Sequence, residues 1–488
     1  MIATGYRKRV TVLLFVLLLV RFWLGRTFEL TGPEAFAWLE GRHLDWGYWD
    51  QGPVVPLLSA LGTFFFGQNE LGVRWLASVI YAGSGFFLFY TTRHWFSARA
   101  GFYAVILFAV LPLYAWQMLL LSETTVSVGL MALALLVYHQ AVDRGRWLDW
   151  TLAALVSALA LTVSWWNILW PAGLLLFRLI DAQRRERWFE RHIALFIAIT
   201  LLGFLPFIVW HIHQGLLPNL GSSAAEWLAP KHQLADRTLP GPLAFVRAQV
   251  VWLAFGGFLA LLVILARARD YVFLRRSHLF LFCLGVPGLA LQILFSFLGL
   301  HNQDIVPALY LPLLSLAGSV GTRLTDSDRR WRIAALIVIA VAAIETITGL
   351  IPWTSARYWS HYAPNRQERN RALATEVARL QREQGGSFLI VDDPQKASLL
   401  SFYLPLQPFV YVLPTAGVHT QFDLWPGYSD FEVTNALLMT RATQPTPEIE
   451  REFESVRALP GAIPIPEAAP WHFFICERFG ATKPATEP

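Results

Sequence analysis

The chain has 488 residues, of which 55% are hydrophobic and 15% charged, with 21 Trp and 35 Phe. A soluble globular protein carries about 25% charged side chains, so this chain lacks the polar surface to cover itself in water. Its net charge of +5 comes from cations in short clusters between apolar runs rather than from one basic stripe, and no nucleic-acid partner is expected.

In chain order, Arg7, Lys8 and Arg9 precede an apolar run that ends near Leu24. No small-residue cleavage site follows before Arg26 and Glu29, so this run is expected to be a retained first span. Apolar runs near the roughly 20-residue bilayer length then place about eleven spans at 9–27, 71–92, 100–117, 122–141, 149–164, 166–181, 193–213, 244–265, 278–299, 304–321 and 332–352. Around Ser164, Trp165, Trp166 and Asn167, two short spans and a single bent or re-entrant segment are both open. Lys and Arg gather in the cytoplasmic loops of membrane proteins. With the N-terminus in the cytoplasm those loops contain Arg93 and Arg99, Arg144 and Arg146, Arg184 to Arg191, Arg267 to Arg276, and Arg323 to Arg332. An odd span number puts the C-terminus outside.

The expected fold is therefore an all-α polytopic bundle over residues 1–352, followed by a small extracytoplasmic α/β domain over 353–488. Two outer loops, 28–70 and 214–243, are long enough to carry function. Short helices are expected over Pro33–Arg42 and Pro53–Phe66, the second at the membrane surface. In the tail, apolar spacing at Leu373, Val377 and Leu380 predicts a helix within Pro364–Gln384, stopped by Gly385 and Gly386. Strands are expected at Phe388–Val391, Phe409–Leu413, Asn435–Met439 and His472–Cys476. Cys283 lies in an apolar run and Cys476 in the tail, which indicates neither a disulfide nor a thiolate metal site. Neither a dinucleotide fingerprint nor a P-loop is present.

The first outer loop is the most informative stretch. It gathers Glu34, Glu40, Asp45 and Asp50 with Arg42, His43 and the aromatics Trp38, Trp46, Tyr48 and Trp49. Carboxylates accept hydrogen bonds from sugar hydroxyls while ring faces cover the apolar C–H side, so this composition suits a sugar site. An interfacial loop with solvated charges is the plainer reading. Glu123, at the outer start of a span, either serves a site or sits in the first turn of a helix capped by Ser122. In the later loop Lys231, His232 and Arg237 would grip a phosphate beside Glu226, Trp227 and Asp236, or simply meet lipid headgroups. Glu345, inside the last span, has no assigned role. His211 and His213 fit an interfacial position better than a metal site.

Several of these stretches together resemble a known group. Glu34 to Trp38, Leu44 to Pro53, Asn69 to Trp75, Ser122-Glu123 and Pro307 to Pro312, with Ser401 to Pro405 and Gln421 to Pro426 in the tail, are similar to bacterial C-type glycosyltransferases. That group contains the protein O-mannosyltransferases and the aminoarabinose transferase acting on lipid A. The resemblance implies inverting transfer of a sugar from a polyprenyl-phosphate carrier to a lipid, glycan or protein acceptor, at the outer face of the bacterial cytoplasmic membrane. It implies acid–base work by Glu34, Asp50 or Glu123, and donor-phosphate binding by Arg42, Lys231, His232 and Arg237. Sugar or acceptor contacts would come from Asp45, Trp46, Tyr48 and Trp49. A divalent metal is left open as cofactor, and membrane lipid is expected as a partner. One departure stands out: relatives carry Asp-Glu where this chain has Pro33-Glu34, and proline does no acid–base chemistry. A lipid-linked-sugar flippase and a non-catalytic lipid-linked-sugar-binding relative are the competing readings.

Overall fold

The computed structural model describes residues 2–49, 51–181, 191–215, 241–253, 257, 275–297, 306–350, 370–383, 388–413, 420–431, 434–459 and 470–480. The chain divides into two compact units. The first takes Met1–Phe28, Asp45–Gly47 and Gln51–Arg366, and the second Glu29–Leu44, Tyr48–Asp50 and Gln367–Pro488.

The first unit is helical. It contains α1 (Ile2–Thr27), α3 (Val54–Phe66), α4 (Glu70–Trp95), α5 (Ala98–Val110), α6 (Pro112–Ala115), α7 (Glu123–Arg144), α8 (Trp147–Val163) and α9 (Leu169–Ile180). It continues with α10 (Arg191–His213), α11 (Gly241–Trp252), α12 (Arg276–Ser296), α13 (Val306–Ser327) and α14 (Arg329–Leu350), α2 belonging to the second unit. Among the described residues each stretch expected to span contains helix, while 258–265, within the expected span 244–265, lies outside them. By length and composition, 6 helices among the described residues are long and apolar enough to cross a membrane: those beginning at Gly5, Glu70, Glu123, Arg191, Arg276 and Arg329. A seventh crossing would be the bent pair Ala98–Val110 and Pro112–Leu119, which turns by 67°.

Short polar side chains start these helices where the sequence places them. Asn69 accepts from the Gly72 amide, Ser97 from Ala100 and Ser122 from Thr125, each satisfying an amide that the first turn leaves without a helical partner. Gly145 ends α7 in the left-handed region at φ 66°, which suits a residue without Cβ. α13 is buried all round from Val306 to Val320, as expected for the central helix of a bundle. Close crossings surround it: a Cβ at Gly318 would lie 2.3 Å from the Ala100 carbonyl.

The bend before Pro112 frees backbone groups within an apolar bundle, and side chains take them up. The Arg21 guanidinium donates to the Ala115 carbonyl at 3.1 Å, Thr346 Oγ1 to Val110 at 2.6 Å, and Thr125 Oγ1 to Leu120 at 2.7 Å. At the other uncertain place, α8 stops at Ser164 and a 3-10 turn over Trp165–Ile168 leads into α9. Asn167 stabilises this break by donating to Ala160 at 2.8 Å and to Ser127 at 3.0 Å. Two short helices therefore occupy the stretch.

The second unit contains α2 (Gly32–Arg42), α15 (Asn370–Glu383), α16 (Pro394–Tyr403) and α17 (Pro447–Glu452). With them are strands β1 (Phe388–Val391), β2 (Tyr411–Val412), β3 (Ala436–Thr440), β4 (Phe453–Ala458) and β5 (His472–Phe479). The strands form one sheet in the order β2-β1-β3-β5-β4, parallel among the first three and antiparallel from β3 onward. Ile390, Leu438, Phe453, Phe474 and Cys476 build its core. The boundary expected after residue 352 lies outside the described residues. The larger difference is that Glu29–Leu44 and Tyr48–Asp50, part of the first outer loop, cluster with the tail, while the rest of that loop belongs to the helical unit. The reason is apolar burial: Trp38 packs edge-on against Phe402 at 4.9 Å, and Phe36 lies 5.7 Å from Phe422. Glu29 adds a charge-assisted cap, accepting from the Asn370 amide at 2.7 Å where α15 begins.

Candidate functional site

The candidate residues fall into three groups. Within the second unit, Thr31 and Glu34 form a capping box that starts α2. Glu34 Oε2 accepts from both the amide and the hydroxyl of Thr31 at 3.0 Å, and the side chain is 1% exposed. Pro33 precedes it in the first turn, where a missing amide hydrogen costs the helix nothing. The Pro33-Glu34 pair is thus a coherent helix start, and one oxygen of Glu34 is occupied in making it. Arg42 closes the same helix. It lies over the Trp38 ring at 5.2 Å and donates to the Gln407 carbonyl at 2.8 Å. Tyr48 is fully buried with its hydroxyl on the Glu40 and His43 carbonyls, and the Trp49 amide donates to Gln421 Oε1 at 2.8 Å. Tyr48 therefore supports the loop's shape rather than offering an open ring face.

Within the first unit the arrangement is more open. Trp46 is 72% exposed. Asp45 is exposed too, but oriented: Oδ1 accepts from the Trp46 amide at 2.7 Å and Oδ2 from the Trp210 indole at 2.8 Å. Gly47 backs onto the Trp210 ring, where a Cβ would meet it at 3.1 Å. Gly52 lies against the end of α8 so closely that a Cβ would stand 1.5 Å from the Thr162 carbonyl. Glu123 is half-buried in the first turn of α7 behind its Ser122 cap. The chemical content of this group is an oriented, water-accessible carboxylate beside an open indole, with a second acid at a helix entrance.

The third group lies outside the described residues: Asp50, and Lys231, His232 and Arg237, expected from the sequence to grip a phosphate, with Glu226, Trp227 and Asp236. Of the remaining expectations, His211 has its Nδ1 on the Phe207 carbonyl at 2.9 Å, and His213 is exposed. Cys283 and Cys476 are free and buried. Trp210 is the residue that sequence reasoning missed, because an indole near the end of an apolar run looks like any interfacial aromatic. Gln421 stood inside a stretch singled out for resemblance, so a signal for it existed. Arg21 gave none: it is 5% exposed, over the Tyr81 ring at 3.9 Å, in a stretch that reads as an ordinary first span.

Residues 50–210 match the sequence model of the dolichyl-phosphate-mannose-protein mannosyltransferase family. Among solved structures, ArnT from Cupriavidus metallidurans bound to undecaprenyl phosphate is similar with a TM-score of 0.65 at 14% identity, over 95% of this chain and 97% of that one. The apo state of the same protein gives 0.64 at 15% identity, over 98% of both chains. The archaeal oligosaccharyltransferase AglB from Archaeoglobus fulgidus, in complex with an inhibitory peptide and a dolichol-phosphate, gives 0.52 at 12% identity over 90% of this chain and 70% of that one. No curated protein matches the chain by sequence. The resemblance read from the loop and tail stretches is borne out, and at these identities the solved structures establish a common fold.

Proposed function

We propose that this chain, which resembles the C-type glycosyltransferases in sequence and carries an ArnT-like fold along nearly its whole length, is itself a membrane glycosyltransferase. The carrying observation is that fold match, 98% of this chain against 98% of apo ArnT. In this reading the donor is a polyprenyl-phosphate sugar, held with its isoprenoid tail among lipid-facing helices. The bundle crosses the membrane eleven times, with the soluble α/β unit and the first outer loop on the extracytoplasmic side of a bacterial cytoplasmic membrane.

The reaction needs three things from the protein. A carboxylate must take the proton of the acceptor nucleophile as it attacks the anomeric carbon. Glu34 is engaged in starting α2, so the proposal gives this work to Asp50 or Glu123, with Glu34 holding the loop. Cations must meet the negative charge that builds on the departing polyprenyl phosphate, a task assigned to Lys231, His232 and Arg237, with Arg42 at the end of α2. The sugar needs hydrogen-bond acceptors and a ring face, which Asp45, Trp46 and Trp49 supply. Attack opposite the leaving phosphate inverts the anomeric centre, and one proton moves to the carboxylate while the phosphate leaves as its anion.

The test is to offer the full-length protein in lipid nanodiscs a panel of polyprenyl-phosphate sugars and to measure release of polyprenyl phosphate. One donor is expected to turn over, with Asp50→Asn or Glu123→Gln lowering the rate at least a hundredfold, the lower range of a general base's contribution of about 10²–10⁴. Glu34→Gln is expected to lower thermal stability more than rate. No release from any donor counts against the reading. Pro33 in place of Asp favours one second reading, a lipid-linked-sugar-binding relative without turnover. Tight donor binding with no release, unchanged in Pro33→Asp, would select it.

A further inference from the structure

We infer that the ends of α4 and α7 that lie beside the arginine clusters form a site for a divalent transition metal, built from His94, His139 and Asp143. One ligand atom from each residue lies within 4.8 Å of the other two. His139 and Asp143 are one turn apart on α7 and so share a face, which puts them on the side that packs against α4 and its last-turn His94. Two imidazoles and a carboxylate are a ligand set that zinc accepts, with a fourth position left for water.

Distance and burial both favour a metal. A tetrahedral zinc ion with bonds of roughly 2.0–2.1 Å holds its ligand atoms about 3.4 Å apart. His139 Nδ1 is 3.4 Å from Asp143 Oδ2, so this edge of the tetrahedron already has its length. The remaining approach falls to His94, which is exposed and closes the gap by side-chain rotation. His139 is 4% exposed, and its Nδ1 makes no hydrogen bond among the described residues. A metal bond would satisfy that buried nitrogen. The ring packs against His94 at 4.4 Å and Trp95 at 4.6 Å between centroids.

Outer partners are in place as well. Arg276 lies 3.5 Å from Asp143 Oδ1, which leaves Oδ2 to face His139, the kind of second contact that orients a ligating carboxylate. The local cations do not repel an incoming ion unopposed, because Arg276 also pairs with Asp181 at 3.0 Å and Arg144 with Asp149 at 3.8 Å. The exposure of His94 and Asp143 gives an entry path from water. At 1.5 Å rise per residue, α7 separates His139 and Asp143 from Glu123 by roughly 24–30 Å. The metal would therefore clamp two helices and take no part in chemistry at the other end of the bundle.

The experiment uses the full-length protein in detergent, with its affinity tag removed and metals stripped by chelator. Zinc is titrated calorimetrically, and cobalt is added separately to read its visible absorption. One equivalent of zinc and a tetrahedral cobalt spectrum are expected. His94→Ala and Asp143→Asn, both at exposed positions, should each weaken zinc at least about tenfold, while His213→Ala leaves it unchanged. No zinc uptake, or uptake indifferent to His94→Ala, overturns the site. Neither readout depends on turnover, so its failure is separate from failure of the transferase reading.

Discussion

Asp45 shows how one side chain in an exposed loop acquires a direction. Solvent surrounds it, yet the Trp210 indole at 2.8 Å and the Trp46 amide at 2.7 Å fix the plane of its carboxylate. If that carboxylate receives sugar hydroxyls, Trp210→Phe removes one anchor while keeping the ring. A hydrogen bond of this kind is worth about 0.5–1.5 kcal/mol, so kcat/KM for the lipid-linked donor is expected to fall about two- to thirteenfold, with thermal stability nearly unchanged. Steady-state kinetics on the variant, beside a thermal scan, makes the comparison. Gly52 carries the opposite kind of demand. Its missing Cβ would stand 1.5 Å from the Thr162 carbonyl, a backbone atom that cannot rotate away. Gly52→Ala must push the loop off α8 and is expected to destabilise by about 1–3 kcal/mol, seen as a lowered midpoint in thermal unfolding. The sequence marked this loop by its acids and rings but was silent on Trp210 and Thr162, because both contacts join residues more than a hundred positions apart.

At the scale of elements, local rules carried far. Short apolar runs in the tail became β1 and β3, and the spacing of Leu373 and Val377 became the buried face of α15. β4 was not legible, since Phe453–Ala458 interleaves Glu454 and Arg457 with its apolar residues in the manner of an edge strand, which it is. α2 was legible as a helix, while its partners in the tail were not. The sheet also sets a pH limit. Burial between β3 and β4 pushes the Cys476 thiol from an ordinary value of 9.0 up to about 12. Below about pH 9 the thiol is protonated in both folded and unfolded chains and contributes no pH dependence. Above it the unfolded chain loses the proton first, so stability falls with rising pH until the folded thiol ionises near 12. Chemical denaturation monitored by β-sheet circular dichroism at pH 8 and pH 10.5 is expected to show the loss. Replacing the thiol with Cys476→Ala should flatten it. The companion effect at Tyr428, whose hydroxyl burial and Glu452 also push upward, acts in the same direction and leaves a residual slope.

For the whole molecule, hydrophobicity and arginine placement made the helical bundle readable, whereas the grouping of Glu29–Leu44 and Tyr48–Asp50 with the tail depends on ring contacts that no local pattern encodes. Orientation is the proposal with the most at stake, because the loop chemistry requires an extracytoplasmic lipid-linked donor and an accessible acceptor. Charge supports it: Arg323, Arg329, Arg330 and Arg332 bracket the end of α13, and cations in short loops are retained on the cytoplasmic side. Thr443, beyond β3, belongs to the other unit and is exposed, as is Ser327 in the arginine-rich turn. The native cysteines are both buried, so single cysteines introduced at these two places report separately. A membrane-impermeant maleimide added to intact cells that express the full chain is expected to label Thr443→Cys and to spare Ser327→Cys until the membrane is opened. The reverse pattern would put the acidic loop in the cytoplasm and remove the basis for a lipid-linked donor. Labelling of both in intact cells would mean an even number of crossings between the two positions, which would break the odd count that places the tail outside.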